Sequence, residues 1–236
     1  MVTKAVIPAA GVGTRFLPAS KAQPKEMLPI IDTPTIQYVV EEAVAAGIRD
    51  ILIVTGRGKR AIEDHFDRNV ELESLLEKKG DSATGDAMRR LADMAHIHYT
   101  RQREPMGLGH AIGCARRFTG NAPFAVLLGD TIMDAAVPAI GQLVRCHEAH
   151  GGSVVAVERV PRDKVSRYGI VDGQSVGDRV FAARALVEKP DPESSPSNLA
   201  VAGRYVLTPE FYYALDRTPP GLNGEVQITD ALHRLL

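Results

Sequence analysis

Apolar positions along this chain recur with two spacings. Short apolar runs stand at residues 5–7, 50–55, 124–128 and 152–160, the form a strand takes when a parallel sheet buries both of its faces. Between them the spacing becomes helical. Residues 35–46 carry Ile36, Val39, Val40, Ala43 and Val44 on one face, and Gly47 follows as a stop. Residues 4–55 thus read as strand, loop, helix and strand, the crossover unit from which parallel sheets are built. A charged amphipathic helix is predicted over 61–79, a surface break over 80–86, and further helices over 88–95, 110–118 and 137–150. Residues 97–100 form a short strand, with His96 and His98 on one face by alternation. With no third ligand nearby, that pair reads as an edge-strand surface.

From about Pro161 the rhythm changes to short strands and turns, at 168–172, 180–188 and 200–207. This predicts an antiparallel insertion over the sheet. Residues 190–198 form a Pro/Ser-rich surface loop. Thr208-Pro-Glu210 opens a helix through Leu215, with Thr as cap and Pro in the first turn. Pro219-Pro-Gly221 is a tight turn, and 227–236 is a closing helix. No repeat or interdomain linker interrupts the pattern, so the expectation is one α/β domain over residues 1–236.

Composition narrows the function. The chain has 236 residues, 44% of them hydrophobic and 24% charged, with a net charge of −1. That is an ordinary globular balance, with no electrostatic reason to expect a nucleic-acid polymer or a membrane as partner. No apolar run approaches the ~18–20 residues of a membrane-spanning helix. The first apolar run meets Pro8 too early for a signal peptide. Cys114 and Cys146 are far apart and read as free thiols, which suits a reducing, cytoplasmic location.

The candidate chemistry is concentrated at the start. The first strand breaks at Pro8 into a turn with Gly11 and Gly13, followed by Arg15, Lys21 and Lys25. Backbone amides in such a turn point at an anion, and cations beside them neutralise it. A dinucleotide-binding turn would need a third glycine where Phe16 stands, and a helix where Pro18 and Pro24 forbid one. Walker A fails as well, since no G-K-[ST] follows. Gly56-Arg-Gly-Lys-Arg60 is a second glycine-basic turn, open to phosphate or simply solvated. Gly129-Asp130 puts an acid just past the most apolar strand, where open α/β sheets bind ligands. No Ser/His/Asp or Cys/His arrangement suggests a covalent nucleophile.

Gly11-Val-Gly-Thr-Arg-Phe-Leu-Pro18 with Pro24-Lys-Glu-Met-Leu-Pro29 closely resembles the sugar-1-phosphate nucleotidyltransferases. Later blocks resemble their bacterial uridylyltransferase branch: Gly107-Leu-Gly-His-Ala111, Val187-Glu-Lys-Pro190, Gly203-Arg-Tyr205 and Glu225-Val-Gln-Ile-Thr-Asp230. Ser20-Lys21 replaces a common Thr-Lys. The resemblance implies a Rossmann-like mixed, mostly parallel sheet with flanking helices and a small antiparallel insertion. It implies UTP and glucose 1-phosphate as substrates, Mg²⁺ as cofactor and a possible homo-oligomer.

By that resemblance the backbone of Ala9, Ala10 and Gly11 meets base and ribose, and Gly13, Thr14 and Arg15 meet the phosphates. Lys25 neutralises the α-phosphate, and Gln102, Pro105 and Gly107 read the uracil edge. Asp130 holds the metal, Gly169 and Glu188 hold sugar hydroxyls, and Lys189 holds the sugar phosphate. Plainer roles stand beside these: a surface lysine at Lys25, a cap at Asp130, an exposed ion pair at Glu188 and Lys189. Asp134 and Asp172 read as caps or turn residues. Glu26 is left between ordering the loop and touching substrate. Members of this family usually continue past the Glu225–Asp230 block to a strand with a second metal-binding carboxylate. The expectation is a domain lacking that segment, with Asp230 a candidate substitute. The competing readings are a thymidylyltransferase, a non-catalytic nucleotide-sugar binder and, more distantly, an NAD-dependent oxidoreductase.

Overall fold

The computed structural model describes residues 1–236, apart from the side chain of Leu222. In chain order the strands are β1 (Lys4–Pro8), β2 (Pro29–Ile30), β3 (Thr33–Pro34), β4 (Asp50–Thr55), β5 (His96–Arg101), β6 (Phe124–Leu127), β7 (Val154–Arg159), β8 (Gly169–Gly177), β9 (Val180–Glu188) and β10 (Leu199–Leu207). The helices are α1 (Thr35–Ala45), α2 (Arg60–Phe66), α3 (Val70–Lys78), α4 (Ser82–Asp93), α5 (Leu108–Gly113), α6 (Arg116–Thr119), α7 (Ala139–His150), α8 (Glu210–Asp216) and α9 (Ile228–His233). The main sheet runs β5-β4-β1-β6-β10-β8-β9, with β7 also paired to β10. From β5 to β6 the pairing is parallel, and from β10 onward it is antiparallel.

The core explains the unbroken apolar runs. Successive strand residues point to opposite faces. Ile7, Ile51, Ile53 and Leu127 pack with α1 and α7 on one side. Val6, Leu52, Val54 and Val126 pack with α5, α8 and α9 on the other. Each central strand therefore needs an apolar residue at every position. The edge strand β5 alternates instead, with His96 and His98 exposed.

The predicted α/β class holds, and several placements differ. The antiparallel strands extend the same sheet instead of lying over it, because β10 pairs directly with β6. Asp172 lies within β8 beside a bulge, not in a turn. The helix expected over 61–79 is two helices, because Asn69 accepts from Leu72 N at 3.0 Å and starts α3 afresh. The expected surface break contains the first turns of α4, capped by Asp81 through Thr84 N. The 110–118 helix is divided into α5 and α6. The Pro/Ser-rich loop is held, since Arg162 donates to the carbonyls of Pro192, Ser195 and Ser197.

One buried ion pair joins sheet, helices and loop. Arg204 on β10 has no exposed surface, and its Nε and Nη2 both donate to Glu42 Oε2 on α1, at 2.9 and 2.7 Å. Arg204 Nη2 also donates to Thr131 O at 2.7 Å. Glu42 Oε1 accepts from Ile140 N in the first turn of α7.

Candidate active site

The loops that leave the C-terminal ends of β1, β5 and β6 enclose an open cavity of about 520 Å³. In an open parallel sheet this is where neighbouring crossovers diverge and leave a crevice. Ala10, Gly11, Gly13, Thr14 and Arg15 supply one wall. Gly13 has φ of 76° and starts the tight turn Thr14–Phe16. A side chain there would be strained by that φ, and its Cβ would lie 3.2 Å from Lys25 Cβ and 3.3 Å from Ser20 Cβ. Ser20 Oγ donates to Gly13 O at 2.7 Å and closes the loop on itself.

The turn Lys25–Met27 sets two charges at the cavity with different partners. Lys25 enters the cavity, where its Nζ lies 2.5 Å from Asp130 Oδ2. Glu26 lies at the cavity's edge, 1% exposed, and accepts from Lys59 Nζ at 2.7 Å. Burial raises the Glu26 carboxyl above its ordinary value, with the Lys59 hydrogen bond and charge pulling the other way. The pair ties the Lys25–Met27 turn to the second glycine-basic turn through Lys59. Arg15 lines the cavity with no ion-pair partner among the described residues. Lys21 does not line it; with Arg57 and Arg103 it lines a neighbouring cleft of about 360 Å³.

Asp130 follows β6 on a segment tied down at both ends. Leu128 N donates to Gly203 O at 3.0 Å, and Thr131 O accepts from the buried Arg204. The opposite wall holds Gln102, Pro105 and Gly107. Gln102 is 7% exposed, and its Nε2 is 3.1 Å from Gly107 O and 2.9 Å from His110 Nδ1. Gly107 has φ of 94°, and a Cβ there would come within 2.8 Å of Glu225 Cβ. Glu225 completes this wall. Its segment is held by Val226 N donating to Met106 O and by Gly109 N donating to Val226 O, both at 2.9 Å.

Four expected residues do not line this cavity. Ala9 is buried in the core and its N–H is taken by Val54 O at 2.9 Å, so that amide is unavailable to a nucleotide. The reason is strand parity, since Ala9 continues the inward face of Ile7. Gly169, Glu188 and Lys189 form a second cluster at the open end of the β8–β9 pair. There Glu188 Oε1 lies 3.1 Å from Lys189 Nζ, and Glu188 Oε2 accepts from Thr229 Oγ1 at 2.7 Å. A Cβ on Gly169 would be 2.7 Å from that same Oγ1. Burial, then the Glu188 charge, raises the carboxyl of Asp230. Asp230 sits in the first turn of α9 and does not line the cavity that holds Asp130. Sequence reasoning gave no role to Glu225 or Thr229, and left Lys59 in a turn open to phosphate or solvent. The first two were visible only as members of the Glu225–Asp230 block.

This arrangement offers a glycine-turn backbone and two cations to an oxyanion, a carboxylate to a hard cation, and a carboxamide to a heterocycle edge. Comparison with known proteins agrees in kind. A family model described as nucleotidyl transferase matches residues 4–236. The UTP–glucose-1-phosphate uridylyltransferase of Bacillus subtilis (strain 168) is 54% identical over 99% of this chain and 80% of its own length. Among solved structures, a UDP-glucose pyrophosphorylase complexed with UDP-glucose superposes with a TM-score of 0.89 at 44% identity, over 100% of this chain and 87% of that one. A UTP-bound UGPase from Acinetobacter baumannii gives 0.91 at 42% identity, over 100% of this chain and 82% of that one.

Proposed function

The chain belongs to the nucleotidyl transferase family, and from that premise we propose that it transfers UMP from UTP to glucose 1-phosphate, giving UDP-glucose and pyrophosphate. The observation that carries this reading is the facing pair Lys25 and Asp130 beside the glycine turn at the ends of β1 and β6. A phosphate oxygen of the sugar phosphate attacks the α-phosphorus in line. The new P–O bond forms as the bond to the β-phosphate bridging oxygen breaks, and that electron pair leaves on pyrophosphate. Both reactants are anions, so the protein's work is to align them and neutralise charge, with no covalent intermediate.

Lys25 neutralises the α-phosphate, while Arg15 and the Gly11–Gly13 backbone cradle the triphosphate. Gln102 and Gly107 take the base edge. Asp130 fits Mg²⁺, since this hard cation commonly uses one or two carboxylates and completes its shell with phosphates and water. When bound, the ion neutralises phosphate charge. Glu188, assisted by Thr229, accepts sugar hydroxyls, and Lys189 takes the sugar phosphate. The free thiols Cys114 and Cys146 support a cytoplasmic setting. Among the described residues no helix is long and apolar enough to cross a membrane.

The test is pyrophosphate release measured with each nucleoside triphosphate and each of several sugar phosphates, with and without Mg²⁺. The expected result is Mg²⁺-dependent release that is fastest with UTP and glucose 1-phosphate. Tight UTP binding without release would overturn the catalytic reading, and faster release with dTTP would move the assignment to a thymidylyltransferase.

A further inference from the structure

The carboxamide of Gln102 has two N–H donors and one acceptor oxygen. Gly107 O can only accept, so the atom 3.1 Å from it is the Gln102 nitrogen, and one N–H is spent there. The other points at His110 Nδ1, 2.9 Å away. His110 accepts through Nδ1 and carries its own proton on Nε2. With both donors engaged, Gln102 has only Oε1 left to offer, and Oε1 has no partner among the described residues. The main chain of Gln102 is anchored as well, since Gln102 N donates to Thr55 O at 2.8 Å. His110 itself does not line the cavity; it stands behind Gln102 in the first turn of α5.

We propose that His110 is a positioning residue for base selection: by occupying the second N–H of Gln102 it presents a pure acceptor to the base. This rests on the reading of Gln102 as the base contact. An acceptor at that point matches a ring whose edge offers an imide N–H, as uracil and thymine do. It repels a ring that offers a lone pair there, as the N3 of cytosine does. Gly107 O alone leaves one N–H of Gln102 free to swing toward the ligand. The carboxamide could then donate to cytosine, and discrimination would fall. A site built to hydrogen-bond one partner gains most of its selectivity from the group left unpaired by the wrong one.

The experiment is steady-state kinetics of pyrophosphate release with UTP and with CTP, at saturating glucose 1-phosphate. It compares the wild type with His110→Ala, His110→Phe and His110→Asn. Phe keeps a ring without an acceptor, and Asn restores an oxygen near the place of Nδ1. The expected result is a fall of about tenfold in the UTP/CTP ratio of kcat/KM for Ala and Phe, the size of one lost hydrogen bond. That fall should be carried by KM for UTP, and Asn should recover most of it. An unchanged ratio in whichever of Ala or Phe folds would overturn the proposal. So would a loss of kcat shared equally by both nucleotides and not recovered by Asn. Failure of the wild type to turn over UTP would instead sink the functional reading.

Discussion

At the scale of single residues, Lys25 is the most exacting position, because the proposed function makes it the cation at the reacting phosphate. Lys25→Ala is expected to lower kcat by roughly 10²–10³-fold in a folded protein, the usual cost of one transition-state charge partner. Near-normal turnover would remove it from the mechanism. Thr229→Val tests the proposed sugar side. It takes away the hydroxyl that holds Glu188 Oε2 at 2.7 Å. KM for glucose 1-phosphate should rise by about tenfold and KM for UTP should hold, with one hydrogen bond at stake. Equal change in both would mean that Thr229 supports the fold as a whole. That Lys25, Gln102 and Gly13 gather at one cavity was legible from residue type and spacing, because their chemistry suits phosphate or a base edge. Ala9 was not, since whether a strand-end residue faces the core or the crevice depends on one step of register. Glu26 could not be settled from the sequence either, because its partner Lys59 lies 33 positions away.

At the scale of elements, one buried ion pair ties helix α1 to strand β10 through Glu42 and Arg204, and a second joins two loops through Glu26 and Lys59. Glu42→Ala would leave Arg204 buried with no counter-charge and take the acceptor from the start of α7. A loss of about 3–5 kcal/mol in unfolding free energy is expected, measured by urea titration. Replacing both partners, as Glu42→Leu with Arg204→Met, should recover a large part of it. Glu26 gives a pH signature instead. Its carboxyl is raised by burial above 4.5, so the folded state keeps that proton when the unfolded state has lost it. Stability from this group is therefore full below 4.5 and declines as pH rises through the folded-state value. Glu26→Gln should remove that decline from the curve of unfolding free energy against pH; an unaltered curve would refute it. The elements with buried faces were readable, because a strand enclosed on both sides has no freedom in its pattern. The split between α2 and α3 was hidden by continuous polarity across Asp67-Arg68-Asn69, where only the cap at Asn69 marks the restart. The place of β10 was hidden because pairing with β6 is a long-range choice that no local spacing encodes.

At the scale of the whole molecule, the parallel half of the sheet carries the cavity proposed for the nucleotide, and the antiparallel half carries the cluster proposed for the sugar phosphate. The segment from Glu225 to Asp230 touches both, with Glu225 on the cavity wall and Thr229 on Glu188. Its near end is pinned to Met106 and Gly109, and its far end is the first turn of α9. Under the proposed function this short stretch would work as a ruler, with the gap between attacking oxygen and target phosphorus set by a count of residues. Adding one glycine between Val226 and Gln227 should therefore leave UTP binding by calorimetry within a few-fold. Turnover should collapse, because a displacement of about 1 Å at the reacting atoms costs on the order of 10²-fold. Unimpaired catalysis by such a variant would mean that the two substrates find their spacing by closing on each other, and that the ruler is only a hinge.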